Sequence, residues 1–248
     1  VADVDDLLHL AQAFLQDLAG LQRHEQADVG LVLAQQQAGL AVLVVDERQP
    51  ALVQRKGQVG IALHEAGARI DLWKPWRDNA LPDLGAYDAL VAFGGEQNAL
   101  ADATHPYLPK LAHLMKESAE MGIATLGICL GSQVFARGTG ATNHIGTAGE
   151  YGWTEVERTA AGRDDPLLAA LPDRFPILQW HSDTFTLPPG AVHLATSPTA
   201  AVQAFRYGRA GYATQFHFEA NRAVATDWSR EFAEAFEAAR PGWIIDFE

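Results

Sequence analysis

A single cysteine lies between two glycines in the stretch Gly127-Ile128-Cys129-Leu130-Gly131-Ser132-Gln133. The apolar run before it, 123–126, reads as a strand, and 132–137 reads as the start of a helix. A sharp strand-to-helix turn needs small neighbours, because close backbone approach excludes bulky side chains. The G-x-S-x-G nucleophile elbow solves the same problem around a serine. A thiol held there sits at a helix N-terminus, where unpaired N–H groups and the helix dipole favour a thiolate. The segment therefore offers a nucleophile, its activation and the beginning of an oxyanion site.

A cysteine nucleophile needs a base, and the base needs an orienting group. Of the nine histidines, His217 stands out within Gln215-Phe216-His217-Phe218-Glu219. Read as a strand, this segment projects His217 and Glu219 from one face and Phe216 and Phe218 from the other. A carboxylate beside an imidazole accepts its N–H, fixes its tautomer and stabilises the imidazolium. A glycine pair, Gly94-Gly95, closes an earlier apolar run and adds a second turn with an accessible backbone.

The elements that must position these groups change character along the chain. Residues 1–40 carry leucines and Phe14 at roughly helical spacing, followed by the polar stretch Ala34-Gln35-Gln36-Gln37-Ala38-Gly39. They read as an N-terminal extension, helical or poorly ordered, ahead of a domain spanning 41–248. From Ala41, strands and helices alternate: strands at 41–46, 70–73, 89–93 and 123–127, with helices at 53–66 and 106–121. Within 106–121, Leu108, Leu111, Leu114 and Met115 share one face. Such alternation implies a parallel sheet with helices on both sides, a three-layer α/β/α arrangement. The second half has short strand-like runs at 153–156, 175–180, 191–195, 202–207 and 212–218, separated by turns such as Pro188-Pro189-Gly190. These predict extra, partly antiparallel strands. A C-terminal helix is expected over 221–240, and the apolar tail 243–247 is expected to dock on the domain or a partner.

Composition narrows the function classes. The 248 residues are 48% hydrophobic and support a substantial core. No apolar run approaches the ~20 residues of a membrane helix. A formal net charge of −13 disfavours nucleic acid and anionic membrane surfaces as partners. Early acidic residues Asp3, Asp5 and Asp6 argue against a signal peptide. One cysteine forms no internal disulfide, so a cytoplasmic setting is the expectation.

Taken together, the elbow cysteine, the H-x-E segment and the glycine pair resemble the class I (triad-type) glutamine amidotransferases. Residues 127–133 look like their G-x-C-x-G-x-Q signature, and 215–219 look like their Q-F-H-x-E segment. The resemblance covers 41 to about 240 and implies the family's flavodoxin-like architecture, with a mostly parallel sheet. It makes Cys129 the nucleophile, His217 the acid/base and Glu219 its orienter. It assigns the oxyanion N–H groups to Gly95 and Leu130, beside Gly94, and places Gln133 against the substrate glutamine. Trp180-His181-Ser182-Asp183 resembles an H-x-D segment seen in amidotransferase domains of the GMP synthase type. This adds His181, Ser182 and Asp183 as substrate-binding candidates, while 150–153 resembles a structural segment. Glu96 stands where the family usually has proline, and no P-loop or synthase-like segment is present.

The implied reaction is hydrolysis of the glutamine side-chain amide through a γ-glutamyl thioester, with no metal or organic cofactor. The ammonia would feed a separate synthase subunit, or the chain would act as a stand-alone glutaminase. Two alternatives share these residues: a γ-glutamyl hydrolase acting on a larger amide, and a non-catalytic amidotransferase-like module.

Overall fold

The structure is a computed structural model that describes residues 41–45, 57–65, 67–78, 80–220 and 222–239. The expected extension at 1–40 and the tail at 243–247 lie outside them. The strands are β1 (Ala41–Val45), β2 (Arg69–Trp73), β3 (Ala89–Ala92), β4 (Ala124–Ile128), β5 (Asn143–His144), β6 (Glu150–Arg158), β7 (Arg174–His181), β8 (Thr184–Phe185), β9 (Val192–Thr196), β10 (Ala204–Tyr207) and β11 (Gly211–Thr214). The helices are α1 (Gly57–Glu65), α2 (Leu108–Glu120), α3 (Leu130–Gly138), α4 (Ala160–Asp164), α5 (Arg222–Glu231) and α6 (Ala233–Ala239).

A nine-stranded sheet runs in the order β2-β1-β3-β4-β11-β10-β9-β6-β7. Its first five strands are parallel, and the remaining four join antiparallel. Alternation within each strand sorts side chains to two faces. Ala89, Val91, Leu126 and Tyr212 pack with Val59 and Leu63 of α1. Leu90, Ala92 and Ala213 face the other way, against Leu111 and Met115 of α2 and Val134 and Phe135 of α3. The sheet is thus covered on both sides, as continuous apolar runs require.

Helix α2 shows how the pattern works. Leu108, Leu111, Leu114 and Met115 are all buried, and each contributes about 1.5–3 kcal/mol by leaving water. Helix α3 differs, because it is buried almost all round between the sheet and α2. Glycine makes that approach possible: a Cβ on Gly131 would collide with the Ala92 carbonyl of β3. Among the described residues, no helix is long and apolar enough to cross a membrane.

Two of the expected elements take a different form. The run at 212–218 is a strand only to Thr214, so the H-x-E segment lies outside the sheet. The C-terminal helix is broken at Phe232 into α5 and α6.

Candidate active site

Cys129 occupies the turn between β4 and α3 with φ 53° and ψ −110°. It is the single non-glycine residue with positive φ among the described residues. Such a conformation costs about 1–3 kcal/mol, and persists only where the surroundings over-determine it. They do so here. The Cys129 N–H donates to Thr214 O at 2.8 Å and its carbonyl accepts from Gln133 N at 3.1 Å and Ser132 Oγ at 2.6 Å. On Gly127, a Cβ would lie 2.6 Å from Gly131 O, so the turn closes only around glycine. Leu130 is the first residue of α3, and the opening N–H groups of a helix have no intrahelical acceptor.

His217 reaches the thiol from the loop after β11, the neighbour of β4. That loop is irregular yet well tied: Gln215 N donates to Gln203 O at 2.8 Å, His217 N to Leu178 O at 2.9 Å, and Gln58 N to Glu219 O at 2.9 Å. The expected strand fails because these bonds lead the backbone off the sheet toward β7 and α1. His217 and Glu219 still share a direction. His217 Nδ1 donates to Glu219 Oε1 at 2.7 Å, with both side chains buried. The ring is also electrostatically coupled to Cys129. The Trp180 carbonyl oxygen lies 3.8 Å from Sγ.

Burial alone would push the His217 imidazole down. Glu219 first and then Cys129, through charge, together with the hydrogen bond to Glu219, outweigh it and raise the pKa from 6.5 to about 10. The surroundings therefore favour the charged form of the ring.

Gly94 follows β3 and faces the pair. A methyl group there would lie 3.3 Å from Cys129 Cβ, 3.4 Å from His217 Cε1 and 3.7 Å from Sγ, so glycine keeps the reacting space open. Thiol and imidazole open into a cavity of about 360 Å³. Gly94, Gly95, Leu130, Gln133, His181, Ser182 and Asp183 line it too, whereas Glu219 stands behind His217.

Three of these residues are partly committed to the protein itself. Gln133 Nε2 donates to Gln215 Oε1 at 3.2 Å. Asp183 Oδ1 accepts from Gly146 N at 2.8 Å and Ser182 Oγ at 3.2 Å. His181 is turned inward: Nδ1 faces Asp183 O at 2.9 Å and Nε2 faces Glu150 Oε2 at 3.1 Å. Glu150 and His181 are register partners on β6 and β7, which puts their side chains on one face. Ser197 Oγ and Gln203 Nε2 complete the Glu150 shell. The ring of His181 thus braces the 181–183 loop rather than pointing into the cavity.

The next rung, Tyr151 opposite Trp180, lines the cavity together with Glu96, Gln97, Trp228 and Phe232. Sequence reasoning missed these. The one available signal was Trp228 and Phe232, spaced i, i+4 on the expected helix.

A mixed, mostly parallel sheet with a thiol elbow and a buried His–Glu pair at its centre defines a class of protein that the comparisons make specific. The family model for glutamine amidotransferase class-I matches residues 61–233, and the chain belongs to that family. The glutamine-hydrolyzing GMP synthase subunit of Methanoregula boonei is 31% identical over 178 residues, 70% of this chain and 89% of that protein. The glutamine amidotransferase-like protein YfeJ of Salmonella typhimurium is 32% identical over 141 residues, 56% of this chain and 59% of YfeJ. The chain thus spans little more than half the length of that relative. A glutamine amidotransferase crystal structure from Thermotoga maritima superposes with TM-score 0.74 at 28% identity, covering 84% of this chain and 90% of that one.

Proposed function

We propose that the chain hydrolyses the side-chain amide of glutamine or a γ-glutamyl compound through a thioester on Cys129. The Cys129 thiolate attacks the amide carbonyl. The N–H groups of Gly95 and Leu130 receive the developing oxyanion, each such donor being worth about 3 kcal/mol of barrier. The His217 imidazolium gives its Nε2 proton to the departing nitrogen as the C–N bond breaks. His217 then takes a proton from water, which cleaves the thioester and releases glutamate. Glu219 keeps Nδ1 protonated throughout and supports the positive ring. Gln133, Ser182 and Asp183 hold the glutamyl end.

The observation that carries this reading is the pairing of a thiol on a strained residue at the N-terminus of α3 with a His217–Glu219 couple across one open cavity. The name of the Methanoregula relative, which describes one component of a GMP synthase, supports a role in supplying ammonia to a separate synthase. A reactive lone thiol suits a reducing cytoplasm.

The test is ammonia release from glutamine by the purified chain, alone and with candidate synthases. Cys129→Ala is expected to abolish release while leaving the thermal melting curve intact. A substantial rate in that variant removes the nucleophile assignment.

A further inference from the structure

The cavity lining is chemically mixed. It includes Glu96, Ser182 and Asp183, and none of the described residues lining the cavity is lysine or arginine. Beside His217 the lining is aromatic. Trp180 meets Trp228 and Phe232 edge-on, with ring centroids 5.8 Å and 5.2 Å away. Trp180 and Phe232 are half-buried, so parts of their rings stay accessible. The Trp228 ring stands 5.0 Å from the His217 ring, nearly perpendicular to it.

Position gives this aromatic wall a meaning. On the mechanism proposed above, on which this inference rests, His217 protonates the departing nitrogen. Any substituent on that nitrogen then extends along the His217 side, toward Trp228 and Phe232. Ammonia, with a single heavy atom, leaves this wall unused. The volume of about 360 Å³ is of the size that encloses a drug-sized ligand, about 300–1,000 Å³. A leaving group with its own carboxylate fits poorly, because none of the described residues lining the cavity is a cation that could receive it.

We infer that the site is built for γ-glutamyl amides of flat, apolar amines, an arylalkylamine in particular, in preference to glutamine or γ-glutamyl peptides. The chemistry balances without a further reactant. The Cys129 sulfur–carbon bond forms, the carbon–nitrogen bond breaks and the His217 proton passes to nitrogen, freeing a neutral amine. Water then converts the thioester to glutamate and restores the thiol.

The experiment compares kcat/KM of the full chain for γ-glutamylbenzylamide, glutamine and γ-glutamylglycine, following glutamate release. The benzylamide is expected to exceed each of the others at least tenfold. Phe232→Ala, and separately Phe232→Glu, are expected to reduce the benzylamide-to-glutamine ratio at least fivefold in protein that melts as the parent does. Cys129-dependent cleavage of glutamine as fast as the benzylamide overturns this inference and leaves the proposed function standing. An unchanged ratio in both Phe232 variants likewise overturns the assignment of the wall. Failure of all three amides to acylate Cys129, read by intact-protein mass, overturns the proposed function and this inference with it.

Discussion

Replacing Glu219 by glutamine removes a charge while keeping an oxygen for His217 Nδ1–H. The native imidazole is raised from 6.5 to about 10, a rise worth about 5 kcal/mol at 1.36 kcal/mol per pH unit. Burial opposes that rise, and Glu219 is the leading charge behind it. An opposite charge at this range moves a pKa by about 1–3 pH units, so the His217 midpoint in Glu219→Gln is expected to fall by that much. The linkage has a definite sign. A folded value above the unfolded one stabilises fully below pH 6.5, and that stability is lost as pH rises through about 10. Between those limits the folded state holds one extra proton, and stability falls by about 1.4 kcal/mol per pH unit. The variant should begin that decline from a lower stability and finish it at lower pH. Two assays read the change: ring-nitrogen NMR of His217, and the pH profile of iodoacetamide alkylation, which reports Cys129 alone because the chain has one cysteine. Identical midpoints in parent and variant would refute Glu219 as the source of the raised value.

His217→Asn should lower kcat/KM for amide hydrolysis by about 10²–10⁴-fold, the usual worth of a positioned acid/base, and by more than Glu219→Gln does. The reverse order in steady-state assays would give Glu219 a role other than orienting the ring. Gly94→Ala places a methyl 3.4 Å from His217 Cε1 and 3.7 Å from Cys129 Sγ. It should cut hydrolysis sharply with little change in Tm, and full activity in a correctly folded variant would show that substrate does not use this space. Glu150→Ala leaves His181, Ser197 and Gln203 without their buried acceptor. It should destabilise the fold by about 3–5 kcal/mol, measured by urea unfolding, and a loss under about 1 kcal/mol would show that the network repairs itself.

The elbow was readable because its constraints are local. A lone cysteine between two glycines, after an apolar run, leaves few backbone solutions, and β4, Cys129 and α3 follow that reading. The His217–Glu219 pair was also readable, but for another reason than the one sequence suggests. Alternation in Gln215-Phe216-His217-Phe218-Glu219 fits a strand, whereas the segment leaves the sheet at Thr214 and is held by β7 and α1. The two readings give similar side-chain directions by different routes. The inward turn of His181 depended on a β6–β7 register that composition does not encode. The aromatic wall was least legible. Trp228 and Phe232 read as an ordinary apolar stripe until α5 is docked against Trp180, and only tertiary packing decides which ring edges remain open.

The sulfur and the imidazole leave the ends of β4 and β11, strands that lie side by side and are joined at Thr214 by the Cys129 N–H. After α3, the chain from β5 through β10 forms a detour that returns to the same place. That detour supplies Tyr151 and Trp180 to the cavity wall, so changes within it can alter the wall while the sulfur and the imidazole keep their spacing.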